Sequence, residues 1–160
     1  MKFSNAITYL ILVLCFNACD QPSMNKSEVK SIAEFPEGVA YEIFIQSWAD
    51  GNADGIGDFE GATQQLDYLE ELGVAAVWLM PIMPSPSYHK YDVTDYKAIH
   101  PEYGSIEDFK YFVAEAHKRG IKVVIDMIIN HTASDHPWFV EAKKGKDNPY
   151  RNYYVWADKD

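Results

Sequence analysis

The stretch from Ile121 to His131, IKVVIDMIINH, decides the fold. Its β-branched Ile and Val residues predict a strand buried on both faces, and Asp126 follows them with no turn residue between. Asn130 and His131 come next. Parallel α/β sheets and barrels collect their chemistry where strands end, so an acid, an amide and an imidazole are expected at one such end. The alternative is that Asp126 only ends the strand and His131 packs in a loop.

Composition and charge narrow the class of protein. The 160 residues are 48% hydrophobic and 14% aromatic, which is typical of one globular domain with a substantial core. The formal net charge of −10, with no cluster of Lys and Arg, argues against a nucleic-acid partner. Cys15 and Cys19 are the two cysteines, and both precede residue 20. A disulfide or a cysteine zinc site in the folded part is therefore excluded.

Residues 1–19 have the pattern of a targeting segment. Lys2 is followed by the apolar run Ile7 to Phe16, about half of the roughly 20 residues that a membrane-spanning helix needs. This indicates a signal peptide and secretion across a bacterial inner membrane. The sequence FNAC resembles a lipoprotein signal, with Phe16 in place of the usual Leu, and predicts a lipid anchor at Cys19; ordinary signal cleavage is the alternative. Residues 20–35 are then a flexible tether.

The chain from residue 36 alternates strand and helix patterns. A capping residue opens each helix, Asp58 for the first and Ser105 with Asp108 for the second, and Gly73 and Gly120 end them. The predicted strands are Val39–Trp48, Val74–Met80 and Ile121–Ile125. The order β-α-β-α-β predicts parallel strands, in either a doubly wound sheet or a (β/α)8 barrel. No glycine-rich phosphate loop follows the first strand, which removes dinucleotide and P-loop functions.

An acidic loop between the first strand and the first helix has the spacing of a calcium site. Side-chain oxygens recur at positions one, three, five and nine, and a backbone carbonyl is available at position seven. The predicted calcium ligands are Asp50, Asn52, Asp54, Ile56 and Asp58. Position twelve is Gly61, where an EF-hand loop has a bidentate Glu. The alternative is a polar turn whose Asp and Asn residues form local hydrogen bonds.

The segment Tyr88–Tyr96, YHKYDVTDY, alternates aromatic rings and a His with carboxylates directly after the second strand. A sugar ring needs an apolar face for its C–H groups and hydrogen-bonding groups around its edge. This segment therefore indicates sugar binding, and the alternative is a Tyr-rich packed loop.

Several longer runs, in order and spacing, resemble the N-terminal part of the α-amylase family of glycoside hydrolases. They are SWADGNADGIGDFEGATQQLDYLEELGVAAVWLMPIMPSPSYHKYDVTDY, YGSIEDF, AEAHKRGIKVVIDMIINHTASDHPWF and YRNYYVWAD. The resemblance covers roughly residues 36–160 and implies an α/β fold that is the N-terminal portion of a (β/α)8 TIM barrel, about three strands and two helices. Residues 36–131 would form this part, and residues 132–160 would begin a small domain inserted after strand three.

The family's binding residues can be carried over position by position. Tyr91 would stack under the sugar at the bond to be cleaved, His131 would hydrogen-bond the sugar hydroxyls, and His89 would lie in the same pocket. Asp126 would orient an Arg beside the nucleophile. Asn130 would be a possible ligand of a second calcium.

Two departures limit what this chain can do under the resemblance. Lys90 stands where the family usually has Gly between the His and the Tyr. The family's nucleophilic Asp, acid/base Glu and third essential Asp match no position in these 160 residues, and the nucleophile and the acid/base are expected beyond Asp160. The implied activity is retaining hydrolysis of α-1,4-glucosidic bonds in starch or maltooligosaccharides, by a protein of which this chain alone is expected to be inactive.

Two further functions remain open. An exo-acting α-glucosidase of the same family tends to carry an acidic residue where Tyr88 stands. A non-catalytic member would use the barrel as an interaction module; the intact Tyr91 and His131, and an apolar run too short to span a membrane, argue against it.

Overall fold

A computed structural model describes residues 37–157. The signal peptide, the lipid anchor at Cys19 and the tether predicted for residues 20–35 lie outside this range and stay predictions. The domain boundary at residue 132 lies within the range and also stays a prediction. Asp160 also lies outside the described residues. The expectation that the nucleophile and the acid/base follow Asp160 is therefore untested by the structure and stays a prediction.

The described residues form three short strands and four short or medium helices. The strands are β1 (Ala40–Ile43), β2 (Ala76–Leu79) and β3 (Lys122–Ile125). The helices are α1 (Phe59–Gln64), α2 (Leu66–Glu71), α3 (Ile106–Lys118) and α4 (Pro137–Ala142), with 3-10 turns at Ile45–Ser47, Pro101–Tyr103 and Arg151–Tyr153. Within residues 37–157, no helix is long and apolar enough to cross a membrane.

The three strands form one parallel sheet in the order β1-β2-β3, as the alternation of elements predicts. Parallel neighbours must be joined by crossovers, and α1 with α2, then α3, supply them. The register places Glu42, Trp78 and Val124 in one row across the sheet, and Ile43, Leu79 and Ile125 in the next. Because successive side chains point to opposite faces, these two rows lie on opposite sides of the sheet.

One face of the sheet packs on the helices and forms the core. Ile43, Val77 and Leu79 from the strands are fully buried. The helices contribute fully buried apolar residues as well, namely Phe59, Ala62, Leu66, Leu69, Phe112 and Ala116. The rings of Phe59 and Phe112 lie 5.6 Å apart, which joins α1 to α3. Burial of a large apolar side chain contributes roughly 1.5–3 kcal/mol, so this layer supplies most of the stability.

The opposite face is open among the described residues, and this corrects the expectation for β3. The sequence predicts a strand buried on both faces, but the strand is half-buried, and Val124 is 38% exposed. In the same row Trp78 is 45% exposed. Strand β3 is at the edge of the described sheet, and the described helices pack only on the other side. A continuous Ile and Val run therefore predicts the strand but not how many of its faces are covered.

All three strands and the first helix are shorter than predicted: β2 lacks both ends of Val74–Met80, and β3 begins one residue later, at Lys122. The first strand ends at Ile43 because the chain tightens into a 3-10 turn, in which Trp48 N–H donates to the Ile45 carbonyl at 3.1 Å. The single helix expected after Asp58 is broken at Gln65, whose ψ of 2° is not helical. The Thr63 hydroxyl donates to the Phe59 carbonyl at 2.6 Å, a contact that bends helices.

The helix ends agree with the prediction. Asp58 accepts a hydrogen bond from Gly61 N–H at 2.7 Å and caps α1. Ser105 and Asp108 form a reciprocal capping box at the start of α3, and the Ser105 hydrogen bonds lower the pKa of Asp108. Gly120 has a φ of +73°, the left-handed conformation that ends helices and that glycine adopts without strain.

Candidate functional site

The Asp126 carboxylate is the centre of a hydrogen-bonded group at the C-terminal ends of β2 and β3. The Tyr91 hydroxyl donates to Asp126 Oδ2 at 2.6 Å, and the Trp78 indole Nε1–H donates to Asp126 Oδ1 at 2.7 Å. Asp126 N–H also donates to the Leu79 carbonyl and continues the strand pairing by one residue. Both carboxylate oxygens are thus held, and the carboxylate in turn fixes the Tyr91 ring.

The Tyr91 phenol keeps its proton at any ordinary pH. The hydrogen bond to Asp126 raises its pKa to about 12, and burial and the negative charges of Asp126 and Glu42 act in the same direction. A protonated phenol that donates to a carboxylate keeps a fixed ring orientation. The half-buried ring is then available as an apolar surface with a polar rim.

A cavity of about 420 Å³ unites most of the predicted binding residues. Tyr91, Asp126 and the segment 127–131 line it, so the structure brings His131 and Asn130 to the same place as Tyr91. The Asn130 amide nitrogen lies 3.4 Å from His131 Nδ1. A second cavity of about 1090 Å³ lies along the same segment, 127–131, and is lined also by Tyr96, Trp138 and Tyr153.

His89 lies beside Tyr91, although it is not among the residues that line the smaller cavity. The two ring centroids are 5.7 Å apart. His89 Nδ1 accepts a hydrogen bond from Tyr91 N–H at 3.1 Å, so this nitrogen carries no proton in the bonded tautomer. The other nitrogen, Nε2, lies 3.9 Å from Asp92 Oδ2. In this tautomer the His89 N–H is at Nε2, on an exposed ring beside Tyr91.

Tyr96 ties the segment Tyr88–Tyr96 to the residues after β3. Its hydroxyl lies 2.7 Å from the Ile128 carbonyl and 2.9 Å from the His131 carbonyl, so its one proton is shared between them. Burial raises the pKa of Tyr96, which keeps this donor protonated. A backbone hydrogen bond from Ala133 N–H to the Val93 carbonyl joins the same two segments. The segment that carries His131 thus has a defined position relative to Tyr96 and its neighbours.

The acidic loop folds around its own backbone. Asp50 Oδ1 accepts from Ala53 N–H at 2.6 Å and Oδ2 from Gly55 N–H at 2.7 Å, and the hydrogen bond from Gly55 is the largest cause of the lowered pKa of Asp50. Asn52 Oδ1 accepts from Asp54 N–H, and Asp54 Oδ1 from Ile56 N–H. Every predicted metal ligand of this loop is an oxygen atom. Each carboxylate or amide oxygen that accepts one of these hydrogen bonds keeps a free lone pair. This set of ligand atoms therefore fits calcium, which prefers oxygen ligands.

Asp58 differs from the other residues of this loop. Its carboxylate is 4% exposed and accepts from the N–H groups of Gly51 and Gly61. Within residues 37–157, no three His, Cys, Asp or Glu side chains are grouped so that they could hold a metal ion on their own. A cation in the acidic loop would thus depend on the Asn52 amide and the Ile56 carbonyl as well. The role of Asp58 as a ligand stays a prediction beside its observed role as a helix cap.

Two residues that the sequence did not single out, Trp78 and Glu42, complete the candidate site together with Tyr96 from the segment Tyr88–Tyr96. Trp78 holds Asp126, Glu42 lines the same cavity, and Tyr96 positions the segment of His131. Glu42 and Trp78 are register partners in β1 and β2, so they lie in one row of the sheet. A buried parallel strand shows no alternation in its sequence, so nothing in the pattern marked this row as the one that faces the site.

The site lies in a parallel α/β fold, and the predicted binding residues surround the C-terminal ends of its strands. A family model for the α-amylase catalytic domain matches residues 42–160. Alpha-amylase 3 of Dictyoglomus thermophilum is 48% identical over 123 residues, which are 77% of this chain and 25% of that protein. An oligo-1,6-glucosidase of Parageobacillus thermoglucosidasius is 52% identical over 121 residues, 75% of this chain and 22% of that protein.

The crystal structure of an alpha-amylase from H. orenii superposes with a TM-score of 0.74 at 55% identity, covering 77% of this chain and 27% of that one. The chain belongs to the α-amylase family of glycoside hydrolases. It spans about a quarter of the length of these relatives. Its three-stranded parallel sheet with helices matches the N-terminal part of the family's TIM barrel, so the predicted fold class and family are confirmed.

Proposed function

We propose that the protein is a glycosidase that hydrolyses α-1,4-glucosidic bonds in starch or maltooligosaccharides with retention of configuration. Family membership and relatives named alpha-amylase support the glucan as substrate. The observation that carries the proposal is the hydrogen bond of 2.6 Å between Tyr91 and Asp126, in a cavity that His131 also lines. This is an oriented aromatic face with polar groups at its edge, which is what a glucosyl ring requires.

The residues of this chain bind the sugar and do not cleave the bond. Tyr91 presents its ring to the C–H face of a glucosyl unit, while the Tyr91 hydroxyl donates a hydrogen bond to Asp126. His131 and His89 are exposed beside it and supply hydrogen bonds to sugar hydroxyls. Retaining hydrolysis needs two carboxyl groups about 5–5.5 Å apart, one as nucleophile and one as proton donor. We expect both of these carboxyl groups beyond Asp160. This chain therefore contributes residues that bind the sugar and a carboxylate, Asp126, that is held in a fixed orientation.

Calcium is part of the proposal as a structural ion. The acidic loop would hold it through Asp50, Asn52, Asp54 and the Ile56 carbonyl, whose oxygens recur at the spacing of a calcium loop. The loop packs tightly against the chain after β1. A Cβ added at Gly57 would lie only 1.9 Å from the Ile45 carbonyl oxygen, so this position has no room for a side chain. Stabilising the loop therefore stabilises the end of β1. Asn130 as a ligand of a second calcium is a proposal of the same kind.

A second candidate is an exo-acting α-glucosidase, since a relative at 52% identity is named oligo-1,6-glucosidase. The residue that separates the two is Tyr88, which is 65% exposed and whose ring makes an edge contact with Phe44 at 5.1 Å. An acidic residue at this position would bind the non-reducing end of a sugar, and a tyrosine offers a further stacking surface instead. Tyr88 therefore favours the endo-acting amylase.

Sugar binding by the full chain tests the proposal. Trp78 donates to Asp126 and lines the cavity, so its fluorescence reports on the site. Maltoheptaose is titrated into the wild type and into the variants His131→Ala and Tyr91→Ala. We expect saturable quenching in the wild type and roughly tenfold weaker binding, or weaker still, in both variants. The matched controls are His117→Ala and Tyr111→Ala on the exposed face of α3.

The control variants separate a specific site from a general loss of structure. Both controls are expected to bind maltoheptaose as the wild type does. Absence of binding in the wild type, or equal binding in all five proteins, would contradict the proposed site. The sugars released by the full-length protein then distinguish the amylase from the α-glucosidase. A ladder of shorter maltooligosaccharides indicates endo action, and glucose alone indicates exo action.

A further inference from the structure

Lys90 occupies a backbone position that normally requires glycine. Its φ is +67°, and Ala53 is the one other non-glycine residue with positive φ among residues 37–157. A residue with a Cβ in this left-handed conformation is strained, whereas glycine is not. The side chain is also unusual, because it is only 5% exposed although it carries a charge. Buried lysines are rare, so a side chain that stays inside despite backbone strain requires a compensating contact.

The compensating contact is made to an aromatic ring. Lys90 Nζ lies 5.8 Å from the centroid of the Tyr103 ring, within the range of a cation–π interaction. Tyr103 is fully buried, its ring makes an edge contact with His100, and its hydroxyl lies 3.5 Å from Gln46 Oε1. Nζ makes no hydrogen bond or ion pair with any of residues 37–157. The stem of Lys90 is thus buried, and Nζ, which is not among the fully buried polar atoms without a partner, reaches solvent beside the Tyr103 ring.

The backbone of Lys90 sets the positions of its two neighbours. Lys90 N–H donates to the Ser87 carbonyl at 3.3 Å and closes a turn. The next amide, Tyr91 N–H, donates to His89 Nδ1 at 3.1 Å. A change of φ at Lys90 would rotate Tyr91 N–H away from His89 and break this hydrogen bond. His89 and Tyr91 therefore depend on the conformation of the residue between them.

We propose that Lys90 is a positioning residue for sugar binding, which rests on the proposed function of Tyr91 and His89. Its buried stem, with the cation within 5.8 Å of the Tyr103 ring centroid, anchors the turn on Tyr103, and through Tyr103 on the chain that follows β1. The anchor holds Lys90 in the left-handed conformation and so keeps the His89 imidazole bonded to Tyr91 N–H. The competing explanation is that lysine is merely tolerated at a glycine position, in which case glycine would serve at least as well.

Three variants of the full chain separate these explanations. Lys90→Met keeps an unbranched stem and removes the charge, and Lys90→Gly accepts the positive φ without any anchor. Lys97→Met is the matched control, since Lys97 is exposed in the same loop. Maltoheptaose affinity is measured by Trp fluorescence. The pKa of His100, which burial and then the charge of Lys90 lower and Glu102 raises, is measured without sugar by NMR.

We expect both Lys90 variants to bind maltoheptaose about tenfold more weakly, and the pKa of His100 to rise in both, while Lys97→Met behaves as the wild type. Binding by Lys90→Gly as tight as that of the wild type, or an unchanged pKa of His100, would overturn the inference. If the wild type binds no sugar, the proposed function is wrong, but the contact between Lys90 and Tyr103 can still be tested. A higher pKa of His100 and a lower melting temperature in Lys90→Met than in the wild type would support this contact. If either change is absent, the inference is overturned.

Discussion

The substitution Tyr91→Phe removes one hydroxyl and keeps the ring. In the wild type this hydroxyl donates to Asp126 Oδ2 at 2.6 Å, whereas Oδ1 is held independently by Trp78 at 2.7 Å. The variant therefore loses one hydrogen bond to a carboxylate, and the carboxylate keeps its other partner. A hydrogen bond to a charged group contributes about 1.5–3 kcal/mol to stability. Because Tyr91 and Asp126 are only half-buried, water replaces part of the loss, and we expect a value near ~1.5 kcal/mol.

The pH dependence of this loss follows from the raised pKa of Tyr91, about 12. An unfolded chain releases the tyrosine proton near pH ~10, so the folded protein holds it to higher pH. The stabilising contribution is therefore complete below the unfolded pKa and is lost as the pH rises towards the folded pKa. The difference in unfolding free energy between wild type and variant is expected to be constant up to about pH 9 and to shrink between about pH 10 and 12.

Urea unfolding followed by circular dichroism at pH 8 and pH 11 measures both quantities. Tyr111→Phe is the control, because Tyr111 is 59% exposed on α3, and it is expected to change stability by less than about 0.5 kcal/mol. The reasoning is refuted if Tyr91→Phe costs no more than this control at pH 8. It is also refuted if the difference between wild type and variant is as large at pH 11 as at pH 8.

Three further predictions concern the acidic loop, the lipid anchor at Cys19 and the hydrolysis of the glucan. Calcium should raise the melting temperature of the wild type but not of Asp54→Ala, relative to a chelator, because Asp54 is one of the predicted oxygen ligands. An equal effect on both would leave only a polar turn. Mass spectrometry of the mature protein from its bacterial host should find Cys19 acylated and N-terminal, and an unmodified terminus elsewhere would remove the anchor. The chain up to Asp160 should release no reducing sugar from maltoheptaose, whereas turnover would place the catalytic carboxylates within it.

The order of elements and the helix ends follow from the sequence because they depend on neighbouring residues. The capping box of Ser105 and Asp108 needs only contacts within one turn, and the left-handed Gly120 needs only the absence of a Cβ. The break at Gln65 could not be predicted in the same way. It depends on whether the Thr63 hydroxyl turns back to the Phe59 carbonyl or out to water, and both are open to a threonine in a helix.

The grouping of residues at the candidate site was predictable where it depends on the strand ends. Asp126 follows a β-branched strand directly, and parallel strands gather such residues at one edge, which is where Tyr91 meets it. The role of Trp78 was not predictable. Its strand, Ala76–Leu79, is apolar throughout, so the sequence does not show which residues face the helices and which face the cavity. The register assigns the faces, and only then does the indole N–H have an evident partner in Asp126.

The acidic loop shows where a spacing pattern stops being informative. Hydrogen bonds from Ala53 and Gly55 to Asp50 would form in a polar turn without any metal, because Asp and Asn bond readily to amides a few residues ahead. The same kind of bond leaves lone pairs on Asp50, Asn52 and Asp54 free, as a calcium loop requires. The two functions therefore share one local geometry. What separates them is whether a cation on the free lone pairs stabilises the loop beyond its own hydrogen bonds, so the calcium dependence of stability is the quantity that decides.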